Sequence, residues 1–439
     1  MAFEQYRAAQ AIAAATPESR NRYVDLLRAV AILAVVFGHW LMAAVWVDGS
    51  GFHARNILSE VEATQWLTWG LQVMPLFFFV GGYSNAASWK GAAGGYSSWL
   101  RGRLRRLVLP TVPLIGAWIG LGLIAPQFGL DPALAHLGSQ VALIPLWFLA
   151  VYVLMVAATP LTVNLWNRYR MRAVLVMTAG ALATDAVRAV TTDHVGFVNY
   201  AFVWGPVYLL GHAWRNGFFR DARQSMALVA IAGAGLIAMT LAGPYHVSMV
   251  GVPGVAFGNT APPSAALLAL ALTQIGIALA LQRPMRQFLQ RPAAWTATVL
   301  INGSIMTVYV WHMTAMALAI GAVLLVDWPL LAPIPGSVGW WVTRPLWIGV
   351  LAIVTVPFMV AFRRLESGSR ATNRERASQI APLLATFGVG ISFFSVAIKG
   401  LSTSDPLWAA AAVLPLFSVA YWLRPTTPLP SNRRELMRR

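Results

Sequence analysis

The stretch Arg22–Trp40 (RYVDLLRAVAILAVVFGHW) carries the side chains whose types and spacing best fit a chemical role. It opens an apolar run that extends to about Val45, yet Asp25, Arg28 and His39 interrupt that run. At about 100° per residue, steps of three and eleven residues place these three side chains on one face of a helix. A rise of about 1.5 Å per residue puts His39 roughly 16 Å further along the helix than Arg28.

Charged groups inside a membrane normally face the interior of a helix bundle or a hydrated cavity, because hydrocarbon solvates them poorly. The stripe therefore predicts a helix that lines a reaction path. A surface interpretation stays open, in which Asp25 and Arg28 extend toward the lipid headgroups and His39 packs as a neutral residue.

The composition excludes a soluble globular protein. Of the 439 residues, 58% are hydrophobic and 11% are charged, whereas soluble domains are roughly 25% charged. The chain has no cysteine, which excludes disulfides, thiolate nucleophiles and cysteine-ligated metals. The formal net charge of +17 does not indicate nucleic-acid binding, because the basic residues fall in alternate loops.

Twelve apolar segments approach the length that crosses a bilayer, which is about 20 helical residues. We therefore predict an all-α integral membrane protein, a polytopic helical bundle of about 12 transmembrane helices. The segments lie at 23–45, 67–88, 107–125, 140–158, 172–190, 199–214, 225–243, 264–281, 298–325, 342–362, 380–398 and 406–423.

The basic residues predict the orientation of these spans. They concentrate in every second loop and at both ends of the chain, so the positive-inside rule places both termini in the cytoplasm of a plasma-membrane protein. The predicted divisions are a cytoplasmic arm 1–22, a ten-helix membrane domain 23–362, a charged cytoplasmic linker 363–379, two additional transmembrane helices 380–423 and a basic cytoplasmic tail 424–439.

A dense arginine cluster, WLRGRLRRLVLP (99–110), stands at the cytoplasmic mouth of the predicted third span. Arg103 and Arg106 are one helical turn apart, so both can grip one phosphorylated ligand. An anchor on anionic lipid explains the same residues. The cluster therefore predicts either a phosphate clamp or a membrane-surface contact.

Two further residues are candidates for substrate binding. Trp147, in IPLWFLAVYV, falls at the outer end of the predicted fourth span, and His312, in SIMTVYVWHM, is a second intramembrane histidine. Each also has a structural interpretation, as an interfacial anchor and as a packed histidine. The scattered histidines and few carboxylates predict no metal site.

Taken together, these stretches resemble the membrane acyltransferase-3 family, over roughly residues 20–362. The first helix fits R-x-x-D-x-L-R-A-x-A-I-x-x-V-x-x-x-H, and the basic cluster fits R-x-x-R before a proline, with one extra residue ahead of Pro110. The other matching motifs, in the family's order, are M-P-L-F-F-F-V-G-G-Y (74–83), L-W-F-L (146–149), G-H (211–212) and Y-x-x-H (309–312).

The resemblance implies ten membrane helices and transfer of an acyl group from cytoplasmic acyl-CoA, with acetyl-CoA as the expected donor. The implied acceptor is a hydroxyl of a cell-envelope glycan, glycolipid or similar molecule. His39 matches the essential histidine of the family, and Arg103 with Arg106 match its CoA-binding pair. The two helices after residue 379 lie beyond the family's usual core.

The residue chemistry agrees with this implication. A histidine has a suitable pKa to take the proton of an alcohol, Arg28 can stabilise charge on the thioester oxygen, and Asp25 can orient Arg28. Direct transfer and a transient acyl-imidazole on His39 both stay open. The alternative functions are a transporter or flippase for an amphiphile, and a structural subunit whose basic loops bind a cytoplasmic partner.

Overall fold

The computed structural model describes residues 2–90, 92, 95–129, 131–255, 257–326, 328–362, 365, 380–401 and 406–423. Most of the described chain is helical, as the hydropathy pattern predicts. The first elements are α1 (Ala2–Ala14), α2 (Arg22–Met42), β1 (Ala43–Asp48), β2 (Gly51–Asn56), α3 (Ile57–Glu60), α4 (Thr68–Leu71), α5 (Met74–Lys90), α6 (Gly95–Val108) and α7 (Thr111–Ile124).

The remaining helices follow along the chain, and the longest described connection between two of them spans residues 242–264. They are α8 (Pro132–Leu143), α9 (Leu146–Ala157), α10 (Thr159–Tyr169), α11 (Met171–Val190), α12 (Asn199–Arg215), α13 (Ala222–Leu241), α14 (Ala265–Ala280), α15 (Gln282–Phe288), α16 (Pro292–Asn302), α17 (Ile305–Leu325), α18 (Val338–Phe362), α19 (Ile380–Lys399) and α20 (Pro406–Trp422).

Eight helical segments of the described residues are long and apolar enough to cross a membrane, and the pair α14–α15, bent by 52°, makes a ninth if it is one span. The count of twelve is therefore not confirmed. Three predicted spans correspond to α5, α12 and α20, which have 17 residues each. The qualifying segments are Arg22–Met42, Thr111–Phe128, Pro132–Ala157, Met171–Val190, Ala222–Leu241, Ile305–Leu325, Val338–Phe362 and Ala381–Lys399.

The first span ends earlier than its hydropathy predicts. Helix α2 stops at Met42, and the mostly apolar residues Ala43–Asp48 form a strand that pairs antiparallel with Gly51–Asn56. Valine and tryptophan suit a pleated, half-buried strand as well as a span, so hydropathy alone could not separate the two. The hairpin is the one departure from all-α structure among the named elements of the described residues.

Helix α2 packs by one face on α5, α16, α17 and α18. Its face with Tyr23, Leu27 and Ala31 is buried, whereas Val30 and Leu33 are exposed on the side available to lipid. This division follows the helical period and gives α2 one inward face. Asp25, Arg28 and His39 belong to the inward side, as their spacing predicts.

Two glycine motifs bring α5 and α12 into close contact. A Cβ at Gly82 would overlap the backbone of Tyr208, and a Cβ at Gly211 would overlap the backbone of Phe79. Small residues permit this approach of two helix backbones in a membrane. Helix α5 is continuous through its glycine pair, so these glycines serve packing and do not open the backbone.

The last two described helices belong to the same packed body as the rest. Helix α19 lies against α9 and α8, and α20 lies against α6, α7 and α19. Phe393 and Val396 of α19 are fully buried in the main hydrophobic core. The predicted linker 363–379 and tail 424–439 lie outside the described residues except for residue 365.

Candidate active site

His39 and His312 are brought together across the contact between α2 and α17. Nδ1 of His39 lies 2.9 Å from Nε2 of His312, and the two rings stack with centroids 5.1 Å apart. The indole of Trp40 also donates to the backbone carbonyl of His312, at 3.1 Å. Two hydrogen bonds therefore fix α2 to α17 at the level of the histidines.

The hydrogen bonds determine the tautomer of each ring. Nδ1 of His312 lies 2.7 Å from the backbone carbonyl of Tyr309, and a carbonyl accepts, so this Nδ1 carries the proton. In a neutral imidazole the other nitrogen then accepts. His39 must donate from Nδ1 to Nε2 of His312, which leaves the lone pair of His39 on Nε2. His39 is thus prepared to accept a proton at Nε2.

His39 lines a cavity of about 510 Å³. A volume in this range is typical of sites for small ligands. On α2 the wall begins at Ala31, one turn beyond Arg28, and it reaches Met42. The other walls come from residues 56–58, 64–77, 144–148 and 250–253 together with Thr260, Tyr309 and Trp341, with gaps within these ranges.

Trp147 is part of this cavity, but not in the position that the sequence predicts. It follows the break between α8 and α9, within the single helical segment Pro132–Ala157 and not at its outer end. Pro145 interrupts the segment because proline lacks an N–H and obstructs the preceding turn. The carbonyl of Pro145 accepts the Tyr309 hydroxyl at 2.6 Å, which connects the break to the turn before His312.

Asp25 and Arg28 lie at the opposite end of α2. Asp25 forms its closest pair with Arg20, at 2.7 Å, whereas Nη1 of Arg28 is 3.5 Å from the same carboxylate. This contact raises the pKa of Arg20. Arg28 donates from Nη1 to Asp25 and from Nη2 to the Ser84 hydroxyl of α5, the latter at 3.2 Å. The predicted contact between Asp25 and Arg28 is therefore present, and the segment before α2 adds a second arginine to the same carboxylate.

The arginine cluster of residues 99–110 forms its own helix, α6, which ends before Pro110. Leu100, Leu104 and Val108 make a buried stripe that holds α6 to the bundle. Arg103 is half-buried, while Arg106 is exposed. Arg103 is therefore the inward member of the predicted pair.

Arg103 and Arg28 share one electropositive region. Burial lowers the pKa of Arg103, and the nearby charges of Arg106 and Arg28 lower it further. Like charges held close together favour an anionic ligand that would neutralise them. We call Arg28, Arg103 and Arg106 the arginine site.

A buried polar network that the sequence did not reveal connects α5, α9 and α12. Nδ2 of Asn85 is 3.0 Å from the Tyr208 hydroxyl and 3.5 Å from the Tyr152 hydroxyl, and Tyr208 also bonds to Thr159 at 2.8 Å. Tyr152 and Tyr208 are close enough to Arg103 to affect its pKa. The only hint of this network in the sequence is the pair of glycine motifs, G-G and G-H, which bring α5 and α12 together.

His212 of the G-H motif has a structural role. Its Nδ1 donates to the carbonyl of Gly82 at 2.9 Å, and its Nε2 accepts from the Thr162 hydroxyl at 3.0 Å. Both ring nitrogens are therefore occupied, in contrast to His39. No group of three or more histidine, aspartate or glutamate side chains within the described ranges could hold a metal ion.

The family model for the acyltransferase-3 domain, described as an acyltransferase domain, matches residues 21–364. The matched region contains both the paired histidines and the arginine site. No curated protein and no solved structure matches the chain.

Proposed function

The chain belongs to the acyltransferase-3 family, and from this premise we propose that it transfers an acyl group from acyl-CoA to a hydroxyl. The observation that carries the proposal is the hydrogen-bonded pair His39–His312, with the lone pair of His39 on Nε2 beside a cavity. Family membership by itself supports a general acyl-transfer function. The identity of the donor, of the acceptor and of the general base is what we propose in addition.

The arginine site is the proposed position of the CoA phosphates. Guanidinium groups bind phosphate oxygens in a planar, bidentate manner, and Arg103 is the inward member of the R-x-x-R motif. Arg28 and Arg106 add positive charge close to it. Arg28 and His39 are eleven residues apart on one helix, which is roughly 16 Å. An extended pantetheine arm would bridge these two levels.

At the other end of that arm, His39 acts as the general base. Its Nε2 accepts the proton of the acceptor hydroxyl as the oxygen attacks the thioester carbonyl. The tetrahedral intermediate then collapses, the C–S bond breaks, and the protonated His39 returns the proton to the CoA sulfur. The products are an ester and CoA. His312, by accepting from Nδ1, orients His39 and stabilises its protonated form.

This assignment changes the proposed part that Arg28 plays. The cavity beside His39 begins on α2 after Arg28, so Arg28 acts on the donor phosphates and not on the thioester oxygen. We propose that the donor is a short acyl-CoA such as acetyl-CoA. The acceptor is a hydroxyl of an envelope glycan, glycolipid or similar compound at the plasma membrane.

The proposal is tested with the full chain purified in lipid nanodiscs. Acetyl-CoA labelled in the acetyl group is incubated with lipids and glycans from the host envelope, and His39→Ala serves as the matched control. Label should enter an ester product with the wild-type chain alone. If no labelled product forms and the chain instead moves an amphiphile across the membrane of proteoliposomes, the acyltransferase proposal is wrong and the transporter function is supported.

A further inference from the structure

The cavity beside His39 has an unusual pattern of polar groups. Within the described residues that line it, no aspartate, glutamate, lysine or arginine occurs. Most of its wall is aliphatic or aromatic, including Phe77, Phe148 and Trp341. A charged ligand group would therefore be moved from water into an apolar wall without a counter-charge, which is strongly unfavourable.

The hydroxyl groups of the wall already donate to the protein. Thr64 donates to the Val61 carbonyl at 2.6 Å, and Thr68 donates to the Gln65 carbonyl at 2.6 Å. Thr260 donates to the Met249 carbonyl at 2.8 Å. Tyr309 donates to the Pro145 carbonyl at 2.6 Å. These four side chains thus have no hydroxyl hydrogen left for a ligand.

The amides of the wall are partly used as well. Nε2 of Gln72 donates to the Met249 carbonyl at 3.1 Å, and Oδ1 of Asn56 accepts the backbone N–H of Leu58 at 3.0 Å. Nε2 of His39, in contrast, retains its lone pair. The wall therefore combines an extended apolar surface with few uncommitted polar groups, and among the side chains that line it His39 is the one basic acceptor of a hydroxyl proton.

Within the range of acceptors proposed above, we infer that this cavity selects the least sugar-like kind, a molecule whose reactive hydroxyl is carried on an apolar scaffold, such as a hydroxylated lipid or isoprenoid. A polyhydroxylated sugar ring would bring several donors and acceptors to a wall whose hydroxyl hydrogens are committed. Each group left without a partner would lower affinity by on the order of tenfold. An apolar scaffold has no further polar groups whose hydrogen bonds would be lost in the cavity, and it presents its single hydroxyl to His39.

The inference rests on the proposed function in one respect, which is the direction of the donor. The proposal brings acyl-CoA from the arginine site, so the cavity that starts beyond Arg28 is left for the second substrate. A small acetyl group does not need a cavity of about 510 Å³. The acceptor is therefore the occupant that fits both its size and its chemistry.

The test measures binding separately from turnover. Tritiated farnesol, an apolar alcohol, is titrated into nanodiscs that contain the full chain, with empty nanodiscs as the background. We expect saturable binding that methyl glucoside does not displace at equal concentration. Absence of saturable farnesol binding, or equal displacement by methyl glucoside, would overturn the inference.

Variants of one loop locate the site. Val252→Trp fills the cavity, whereas Val255→Trp changes an equally half-buried residue of the same loop outside the cavity wall. Gly251→Leu is a second cavity variant, because its Cβ meets no atom within 4 Å. We expect farnesol affinity to fall at least tenfold in both cavity variants and to stay unchanged in the control. Unchanged affinity in both cavity variants would show that farnesol binds elsewhere.

Acyl-chain occupancy gives a distinct result. If palmitoyl-CoA displaces farnesol while acetyl-CoA does not, the cavity holds the acyl chain and the inference fails. Acetyl transfer to envelope material is assayed in the same preparation and reports on the proposed function alone. If the chain acetylates envelope glycans but binds no farnesol, the proposed acyl transfer is supported and the inferred apolar acceptor is overturned.

Discussion

Helix α2 connects two sites of opposite character. At its beginning, Arg28 joins Arg103 and Arg106 in a charged region that is partly open to solvent. About three turns later, His39 and His312 form a neutral pair beside an apolar cavity. The first site suits tight, charge-dependent binding, and the second suits proton transfer at low polarity. Under the proposed function, one helix would therefore keep the binding of the donor separate from the reaction.

The largest effect should come from His39→Ala. Loss of a general base typically lowers the rate by ~10²–10⁴-fold, while acyl-CoA binding at the arginine site should stay nearly unchanged. Single-turnover transfer and CoA titration measure the two quantities. Full activity of His39→Ala would remove the distinction between the sites, and a parallel loss of CoA affinity would show that they are coupled.

The converse pattern is expected for Arg103→Ala. Loss of a charge-assisted contact to phosphate costs ~1.5–3 kcal/mol, which weakens CoA binding by roughly 10- to 150-fold. The exposed Arg168 of α10 supplies the matched control, since Arg168→Ala removes one charge from a predicted inner loop. If CoA titration shows equally small losses of affinity in both variants, the basic cluster is a lipid anchor and not a phosphate clamp.

His312→Ala should have an intermediate effect. It removes the acceptor of the His39 Nδ1–H, a hydrogen bond worth about 0.5–1.5 kcal/mol, so kcat should fall by up to about tenfold with CoA affinity unchanged. His312→Gln restores an acceptor and should recover part of the loss. A His312→Ala loss equal to that of His39→Ala would mean that both rings act in the proton transfer.

A smaller effect is expected for Arg28→Lys. The substitution keeps the charge but loses the planar donor that reaches Ser84. CoA affinity should fall a few-fold, with the rate of the bound complex unchanged. Complete loss of turnover with normal CoA binding would place Arg28 at the thioester after all.

The last prediction concerns orientation and leaves activity unaffected. Reporters after Arg439 and within 363–379 should read as cytoplasmic, and a reporter within 244–263 should read as external. This would place the arginine site toward the cytoplasm. An external signal from 363–379 would reverse the orientation of the last spans.

The sequence predicted the local relations and missed the long-range ones. The common face of Asp25, Arg28 and His39 follows from helical period alone and is confirmed. The contact of His39 with His312 joins residues 273 positions apart. It depends on how α2 crosses α17, which no local pattern in one chain specifies.

Other differences have similarly local causes. Arg20 lies before the helix, where the direction of the chain decides whether its side chain reaches Asp25. The first strand of the hairpin after Met42 is apolar enough to resemble the end of a span. The family resemblance is confirmed, because it depends on residue spacing and not on tertiary contacts.

The contact between α20 and α6 has a consequence for where this protein can be shortened. The matched family region ends at residue 364, but Arg101 of α6 donates to the carbonyl of Trp422 at 2.8 Å and lies over its ring at 4.9 Å. Helix α6 also carries Arg103. A chain cut at the family boundary would remove the contacts of α19 and α20 with α6 and leave those of α7 and α9, so the packing around α6 extends past the end of the matched sequence.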